Sequence, residues 1–146
     1  MERERPGICA GAWLLLVVCF LMVGCQSGGP ARLRAFESDG CSMFPDGTQK
    51  EPVLWRDDCV EHDFSYWKGG TCRERREADQ RLRDGIRSKG KPMVAQIVYL
   101  GVRVGGHPWL PTPWRWGFGW TEFPRGYRSV SDDEIRVIEA LLDQEK

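Results

Sequence analysis

The apolar positions of this chain recur with the period of α-helices, and four segments carry the pattern. The predicted helices cover residues 54–67, residues 72–88, residues 92–104 and a last segment that begins at Ser131. Gly69-Gly70 ends the first helix, and Gly105-Gly106 ends the third. The pattern therefore predicts a mainly α fold in one small domain.

The first two predicted helices are joined by the short Gly69-Gly70 turn, so they should pack as an antiparallel hairpin. The apolar stripe of the second helix contains a carboxylate, Asp79, which should therefore face the core. Counted from the turn, His62 and Asp79 differ in height by about 3 Å, so their side chains can meet. A His that is hydrogen-bonded to a buried Asp is an oriented general base. Asp63 points about 100° round from His62, which leaves it free to bind a hard cation.

The segments beyond this hairpin differ in how their apolar residues are arranged. The third helix is apolar nearly all round and is therefore predicted to be the buried core helix. Residues 108–127 are rich in Trp, Pro and Gly, which excludes a long helix or a central strand. This loop either buries Trp109, Trp114 and Trp116 against the helices or exposes several Trp to a bilayer interface. We expect the first arrangement. A capping box that begins at Ser131 opens the amphipathic C-terminal helix.

Charge is balanced over the chain, which has 21 basic and 21 acidic residues. The net charge is therefore zero and gives no reason to expect a nucleic-acid partner. The second helix has a heavily charged outer face, which is most often solvated when acids and bases alternate. A basic surface that faces a membrane is the alternative. The charged residues of this face are Arg73, Arg75, Arg76, Glu77, Arg81, Arg83, Asp84 and Arg87.

Residues 1–24 are predicted to be a targeting segment. An apolar run from Ala12 to Val23 follows a short head and is too short to be interpreted first as a membrane span. Met22-Val23-Gly24-Cys25 resembles a bacterial lipobox, which implies cleavage after residue 24 and acylation of Cys25. The alternatives are an ordinary cleaved signal and an uncleaved anchor. Gln26 after this Cys resembles sorting to the outer membrane of a diderm bacterium.

Residues 25–38 are then the acylated Cys25 and a flexible tether, because the Gly and Pro in this stretch disfavour regular structure. The folded domain covers residues 39–146. Attachment by several acyl chains is effectively permanent. The expected location is the bacterial cell envelope, on an outer membrane and facing the periplasm or the cell surface.

One motif in the first helix resembles the active-site helix of secreted phospholipases A2, especially the compact bacterial and fungal forms. The resemblance covers about residues 39–88 and implies that His62 activates a water while Asp79 orients it. Tyr66 would join this network through its hydroxyl, and Asp63 would bind calcium. Four residues at fixed spacing carry the motif: Cys59, His62, Asp63 and Tyr66.

By position, residues 39–50 resemble the calcium loop of that family. The metal ligands that this implies are Asp63, Asp46 as a second carboxylate, and the loop residues Ser42 and Phe44. A Pro-Asp-Gly turn that holds no metal is the alternative reading of the loop. The resemblance also implies a Cys41–Cys59 disulfide between the loop and the first helix. Its rival is a pairing of Cys59 with Cys72.

Together these features predict a phospholipase A2-like hydrolase that acts on phospholipid at a membrane interface and requires Ca²⁺. The alternative is a non-catalytic envelope lipoprotein that uses the same scaffold to bind lipid or a protein partner. Where that family has two adjacent cysteines, this chain has Asp58-Cys59, so one of the family's bridges is missing. This difference favours the alternative. Retention of the four motif residues with Asp79 favours the enzyme. The sequence contains no Gly-rich phosphate loop, no Ser-centred nucleophile elbow and no Cys-x-x-Cys zinc pattern.

Overall fold

The computed structural model describes residues 32–144, and within that range the chain forms four α-helices and no β-strand. The mainly α prediction is therefore confirmed. The signal segment and the acylated Cys25 lie outside the described residues. Helix α1 spans Arg56–Lys68, α2 spans Cys72–Ser88, α3 spans Pro92–Gly105 and α4 spans Asp132–Gln144. Among the described helices, none has the length and hydropathy needed to cross a bilayer.

Ala31–Lys146 forms a compact unit whose core is built from its own residues. The core has three clusters: one where α1, α2 and α3 meet, one around Tyr66, and one between α1 and α4 around Trp67. Within residues 32–144, the members of these clusters run from Leu33 to Leu142. This compact unit therefore buries apolar side chains from all along the described chain, as a segment that folds by itself requires.

Helices α1 and α2 form the predicted antiparallel hairpin. Starting from the turn, the contacts between the two helices are Tyr66 with Arg75 and then His62 with Asp79. At the far end of the hairpin, the Asp58 side chain lies next to Gly85. A Cβ atom on Gly85 would collide with the Asp58 carboxylate, so the glycine allows the helices to approach closely at this end. The predicted capping box at the start of α2 is also present, because Thr71 and Glu74 bond each other's backbone N–H groups.

Helix α3 is not the buried core helix that its composition predicted. It buries Ala95 and Val98, while four of its large apolar side chains are exposed to solvent. Its extensive helix contact within residues 32–144 is with α2. A helix that is apolar all round is fully buried only when other elements cover every side of it. Within residues 32–144, this small fold covers α3 on one side, so the apolar side chains on its other side stay exposed. The exposed side chains are Met93, Ile97, Leu100 and Val104.

Residues 32–38 belong to the folded domain rather than to the predicted tether. Leu33 forms an isolated antiparallel bridge with Trp120. On either side of it, Arg34 N–H donates to Gly119 O, and Thr121 N–H donates to Arg32 O, both at 2.9 Å. The loop around Trp120 thereby satisfies backbone groups that would otherwise lack partners. The rest of the tether, residues 25–31, lies outside the described range.

The side chains of the same segment reinforce this docking. The Phe36 ring packs against Phe64 and Trp67 at centroid distances of 5.3 and 5.6 Å. The Trp67 indole N–H donates to Arg34 O at 2.8 Å. Gly and Pro near the start of the stretch predicted a tether, but the apolar residues that follow them decide where the folded domain begins.

The Trp-rich loop buries some of its Trp side chains and exposes others. Trp116 and Trp120 are fully buried, and their indole N–H groups donate to Gly70 O and Lys68 O, both at 2.8 Å. The loop therefore closes over the turn between α1 and α2. Burial is confirmed for Trp116, Trp114 is partly buried, and the prediction is wrong for Trp109, which is half exposed.

Candidate active site

The hairpin brings His62 and Asp79 together in its buried interior. Nε2 of His62 lies 2.9 Å from Oδ1 of Asp79, and the two side chains are 7% and 0% exposed. Tyr66, one turn after His62 on α1, donates its hydroxyl to the same Asp79 oxygen at 2.8 Å. The three residues that the sequence analysis assigned to catalysis are therefore in mutual contact. Because Nε2 is engaged by Asp79, the imidazole nitrogen left for a water molecule is Nδ1.

A residue of α3 that the sequence analysis missed completes the contacts of Asp79. Nη1 of Arg103 donates to Oδ2 of Asp79 at 2.7 Å, so both carboxylate oxygens accept hydrogen bonds. Burial alone would raise the pKa of Asp79, but the hydrogen bonds from His62 and Arg103 hold it below its ordinary value. Asp79 therefore stays ionised in the core and can stabilise an imidazolium on His62.

Arg75 is the second arginine of this network, and the structure contradicts its predicted place on the solvated face of α2. It is 1% exposed and donates Nε to the Tyr66 hydroxyl at 2.9 Å. Its Nη2 donates to Val102 O and Arg103 O at 2.9 and 2.8 Å. These carbonyls lie in the last turn of α3, the end of the helix that attracts a cation, and Val102 O also accepts the N–H of Gly106 at 3.1 Å. The signal was present in the sequence, since Arg75 precedes Asp79 by one helical turn on the same face.

A cavity of about 370 Å³ opens beside His62. One wall is the loop of residues 40–44, a second is formed by α1, and the third is the side of α3 that carries Val98 and Gly101. A Cβ atom at Gly101 would meet nothing within 4 Å, so this glycine keeps part of the cavity open. The lining is mainly hydrocarbon, which suits an apolar ligand that must reach the imidazole.

Asp63 lies where this cavity meets a second one that is lined by Ser38, Asp39 and Trp114. Its Oδ2 accepts a hydrogen bond from the Ser38 hydroxyl at 2.7 Å. Burial raises the pKa of Asp63 to about 6, although the Ser38 bond and the charge of His62 act in the opposite direction. A carboxylate that is partly removed from water in this way gains from a nearby cation.

Asp46, the predicted second carboxylate of a calcium site, contacts the loop backbone and Arg56. Its Oδ1 accepts the backbone N–H of Cys41 at 2.7 Å, and its Oδ2 lies 3.6 Å from Nε of Arg56. Asp46 therefore organises the loop, and its negative charge also acts to raise the pKa of Asp63. Within residues 32–144, no three His, Cys, Asp or Glu side chains are grouped as they would be around a metal ion.

The remaining predicted ligands, Ser42 and Phe44, line the same cavity as Asp63. The Ser42 hydroxyl donates to Asp39 Oδ1 at 2.8 Å, which leaves its oxygen able to accept or coordinate. A calcium ion at Asp63 would use this carboxylate, with Asp39 on the adjoining cavity and with hydroxyl and carbonyl oxygens of the loop and water completing the six to eight ligands that it prefers. The donors are oxygens, and they fit a hard cation.

The predicted Cys41–Cys59 disulfide is present, with Cα atoms 5.1 Å apart. It joins the loop that precedes α1 to the helix that carries His62. Cys72 is free and exposed, so the rival pairing of Cys59 with Cys72 is wrong. The bridge fixes the loop wall of the cavity relative to the imidazole.

We expect Arg75→Met to lower the free energy of unfolding of residues 31–146 by about 3 kcal/mol, because the Tyr66 hydroxyl and two carbonyls of α3 would lose a buried charged donor. Urea denaturation followed by circular dichroism measures this change. Arg73→Met is the matched control, since Arg73 is 86% exposed and its pairing with Glu77 is worth under about 0.5 kcal/mol. Equal effects of the two substitutions would contradict a structural role for Arg75.

The chain was compared with models of protein families, with curated proteins and with solved structures, and none of the three comparisons gave a match. The description of this site therefore depends on its own geometry.

Proposed function

We propose that this protein is a calcium-dependent phospholipid hydrolase of the phospholipase A2-like type, in which a His-Asp pair activates water to cleave an acyl ester. One observation supports the proposal above the others. The buried, ionised Asp79 holds Nε2 of His62 at 2.9 Å, and the imidazole borders an apolar cavity with Asp63 at its edge. That combination supplies a general base, a place for a hydrocarbon chain and a carboxylate for a cation.

In the proposed reaction, Nδ1 of His62 takes a proton from a water molecule as the water oxygen attacks the ester carbonyl. Asp79 stabilises the imidazolium that forms, and it also keeps the ring in the required orientation. When the tetrahedral intermediate collapses, the imidazolium returns its proton to the leaving alkoxide, which departs as a lysophospholipid. No serine nucleophile and no covalent intermediate are required. Tyr66 and Arg103 act through Asp79 and are positioning residues.

We propose that calcium is held by the carboxylate of Asp63 and by loop oxygens of Ser42 and Phe44. Bound calcium supplies positive charge for the substrate phosphate and for the developing oxyanion. Asp46 is left out of this proposed ligand set because its Oδ1 accepts the Cys41 N–H and its Oδ2 lies 3.6 Å from Nε of Arg56.

The acyl chain would lie in the cavity, along the side of α3 that carries Val98 and Gly101. We also propose, from the lipobox-like sequence alone, that Cys25 is acylated and holds the domain at the bacterial cell envelope, on the outer membrane. The substrate would then be membrane phospholipid within reach of the anchored domain.

The alternative function is a non-catalytic lipoprotein that binds lipid in the same cavity. The observation that favours it is Asp46, because its Oδ1 already accepts the backbone N–H of Cys41 and is thereby less available to a divalent cation. The two functions share the cavity and differ in whether the ester bond is cleaved.

We expect His62→Gln to lower the rate of ester hydrolysis by at least about a hundredfold, because the substitution removes the general base. The assay uses residues 31–146, calcium and mixed-acyl phospholipid vesicles, with released fatty acid as the readout. His107→Gln is the matched control, because His107 is the other histidine of the chain and is exposed in a loop. Bound lipid without release of fatty acid by the unmodified protein would favour the alternative function.

Calcium binding is expected to be lost in Asp63→Asn, which keeps the shape of the side chain and removes its charge. Isothermal titration calorimetry on residues 31–146 measures the binding directly. Asp84→Asn, an exposed carboxylate on α2 that pairs with Arg83, should bind calcium as the unmodified protein does. Equal binding by both variants would place the ion elsewhere and remove calcium at Asp63 from the proposal.

The size of residue 101 is expected to control hydrolysis of long-chain substrates. Gly101→Ala should retain activity and stabilise α3 by up to about 1 kcal/mol, because the added methyl group enters open space and Ala favours helix. Gly101→Phe should lower the rate at least about tenfold by filling the cavity. Thermal unfolding of both variants separates blockage from misfolding. Full activity in a folded Gly101→Phe protein would show that the acyl chain does not occupy this cavity.

A further inference from the structure

The second cavity, which adjoins the one beside His62, has a volume of about 370 Å³. The walls of the two cavities share three residues, Ser42, Asp63 and Trp114. Asp63 is also the carboxylate that we propose to hold calcium. A phospholipid with its acyl chain in the first cavity and its phosphate at this calcium ion would therefore direct its head group into the second cavity.

The second cavity differs from the first in the charge of its walls. The carboxylates of Glu37, Asp39 and Asp63 line it, and none of the described residues that line it is basic. The first cavity is lined mainly by hydrocarbon. A cavity with charged side chains of one sign attracts a ligand group of the opposite sign.

Aromatic rings form another part of the same wall. Trp114 and Phe118 both line the second cavity. Phe118 is held in place, because it packs against the core clusters that contain Trp116 and Trp120. The faces of aromatic rings attract ammonium groups, and such rings are the usual walls of sites that bind organic cations. Carboxylates together with aromatic rings therefore suit an organic ammonium group.

Calcium at Asp63 would not remove the negative charge of this region. One calcium ion brings two positive charges against three carboxylates, and the phosphate of the substrate adds a further negative charge. Within residues 32–144, no ion pair involves Glu37, so its carboxylate has no cationic partner. A head group with a positive charge would supply this partner, whereas a head group without one would leave the negative charges unbalanced.

We propose that the second cavity receives the phospholipid head group and selects one that ends in an ammonium group, which contacts the Glu37 carboxylate and the rings of Trp114 and Phe118. This inference rests on the function proposed above, because the acyl chain and the phosphate determine where the head group lies. A free amine carries the same ammonium group without the phosphate and the acyl chain. It should therefore bind more weakly than the lipid.

The first test compares hydrolysis of short-chain phosphatidylethanolamine and phosphatidylglycerol, each dispersed as monomers, by residues 31–146 with calcium. Both lipids carry the phosphate, and the first also carries an ammonium group. We expect kcat/KM to be about tenfold higher for phosphatidylethanolamine, and Glu37→Gln to lower this ratio at least about threefold. Glu77→Gln is the matched control and should keep the ratio, since Glu77 pairs with Arg73 on α2 and lines neither cavity.

A second measurement separates head-group selection from catalysis. Isothermal titration calorimetry of the His62→Gln protein with calcium measures binding of the same two lipids without turnover. We expect tighter binding of phosphatidylethanolamine, loss of this difference when Glu37→Gln is added, and weaker binding of free ethanolamine. If the unmodified protein hydrolyses neither lipid, the proposed function fails, and the calorimetry still decides whether the cavity selects an ammonium group.

Three results would overturn this assignment of the second cavity. One is equal binding of the two lipids. Another is a preference for phosphatidylethanolamine that Glu37→Gln leaves unchanged. The third is free ethanolamine that binds as tightly as the lipid, which would assign the cavity to a soluble amine instead of a lipid head group.

Discussion

Asp79 is the point at which three helices meet, and its buried charge constrains the rest of the fold. Removing a carboxylate from water is costly unless both oxygens are paired. Here α1 supplies His62 and Tyr66, and α3 supplies Arg103. Each partner must be held within hydrogen-bond distance, so the relative positions of α1, α2 and α3 are fixed by the same contacts that orient the imidazole. Stability and site geometry are therefore coupled in this hairpin.

A second buried charge, that of Arg75, connects this network to the end of α3. Its guanidinium reaches the Tyr66 hydroxyl and the last-turn carbonyls of α3 at the same time. Gly106 follows directly, and a Cβ atom there would collide with the Tyr66 ring. The end of α3 is thus placed by an arginine that satisfies its carbonyls and by a glycine that leaves room for the tyrosine.

Helix α3 has three kinds of surface, and each of them has different surroundings. One side buries Ala95 against α2, and Arg103 reaches Asp79 from the same helix. The side with Gly101 lines the cavity, and the outer side carries the exposed apolar stripe. A helix that is apolar nearly all round can pack against a core on one side, line a cavity on another and leave apolar side chains exposed on a third. That is why its composition alone overstated its burial.

Spacing along the chain determined the helices, the contact of His62 with Asp79 and the position of Asp63 beside them. These follow from the regular rise and turn of a helix and from a short hairpin turn, both of which are local properties. The Cys41–Cys59 bridge was implied by resemblance and is present in the structure. The mainly α architecture and the contact of His62 with Asp79 thus follow from the sequence.

Tertiary structure decided the partners that come from distant segments. Arg103 reaches Asp79 from another helix, Asp46 turns to the Cys41 backbone, and residues 32–38 pair with the Trp-rich loop. The exposure of Met93, Ile97, Leu100 and Val104 was decided in the same way, because it depends on which side of α3 is left uncovered within residues 32–144. The period of the apolar residues in the sequence specifies the helix face on which a side chain lies. Whether that face contacts another helix, a loop or solvent is decided only when all the described elements pack together.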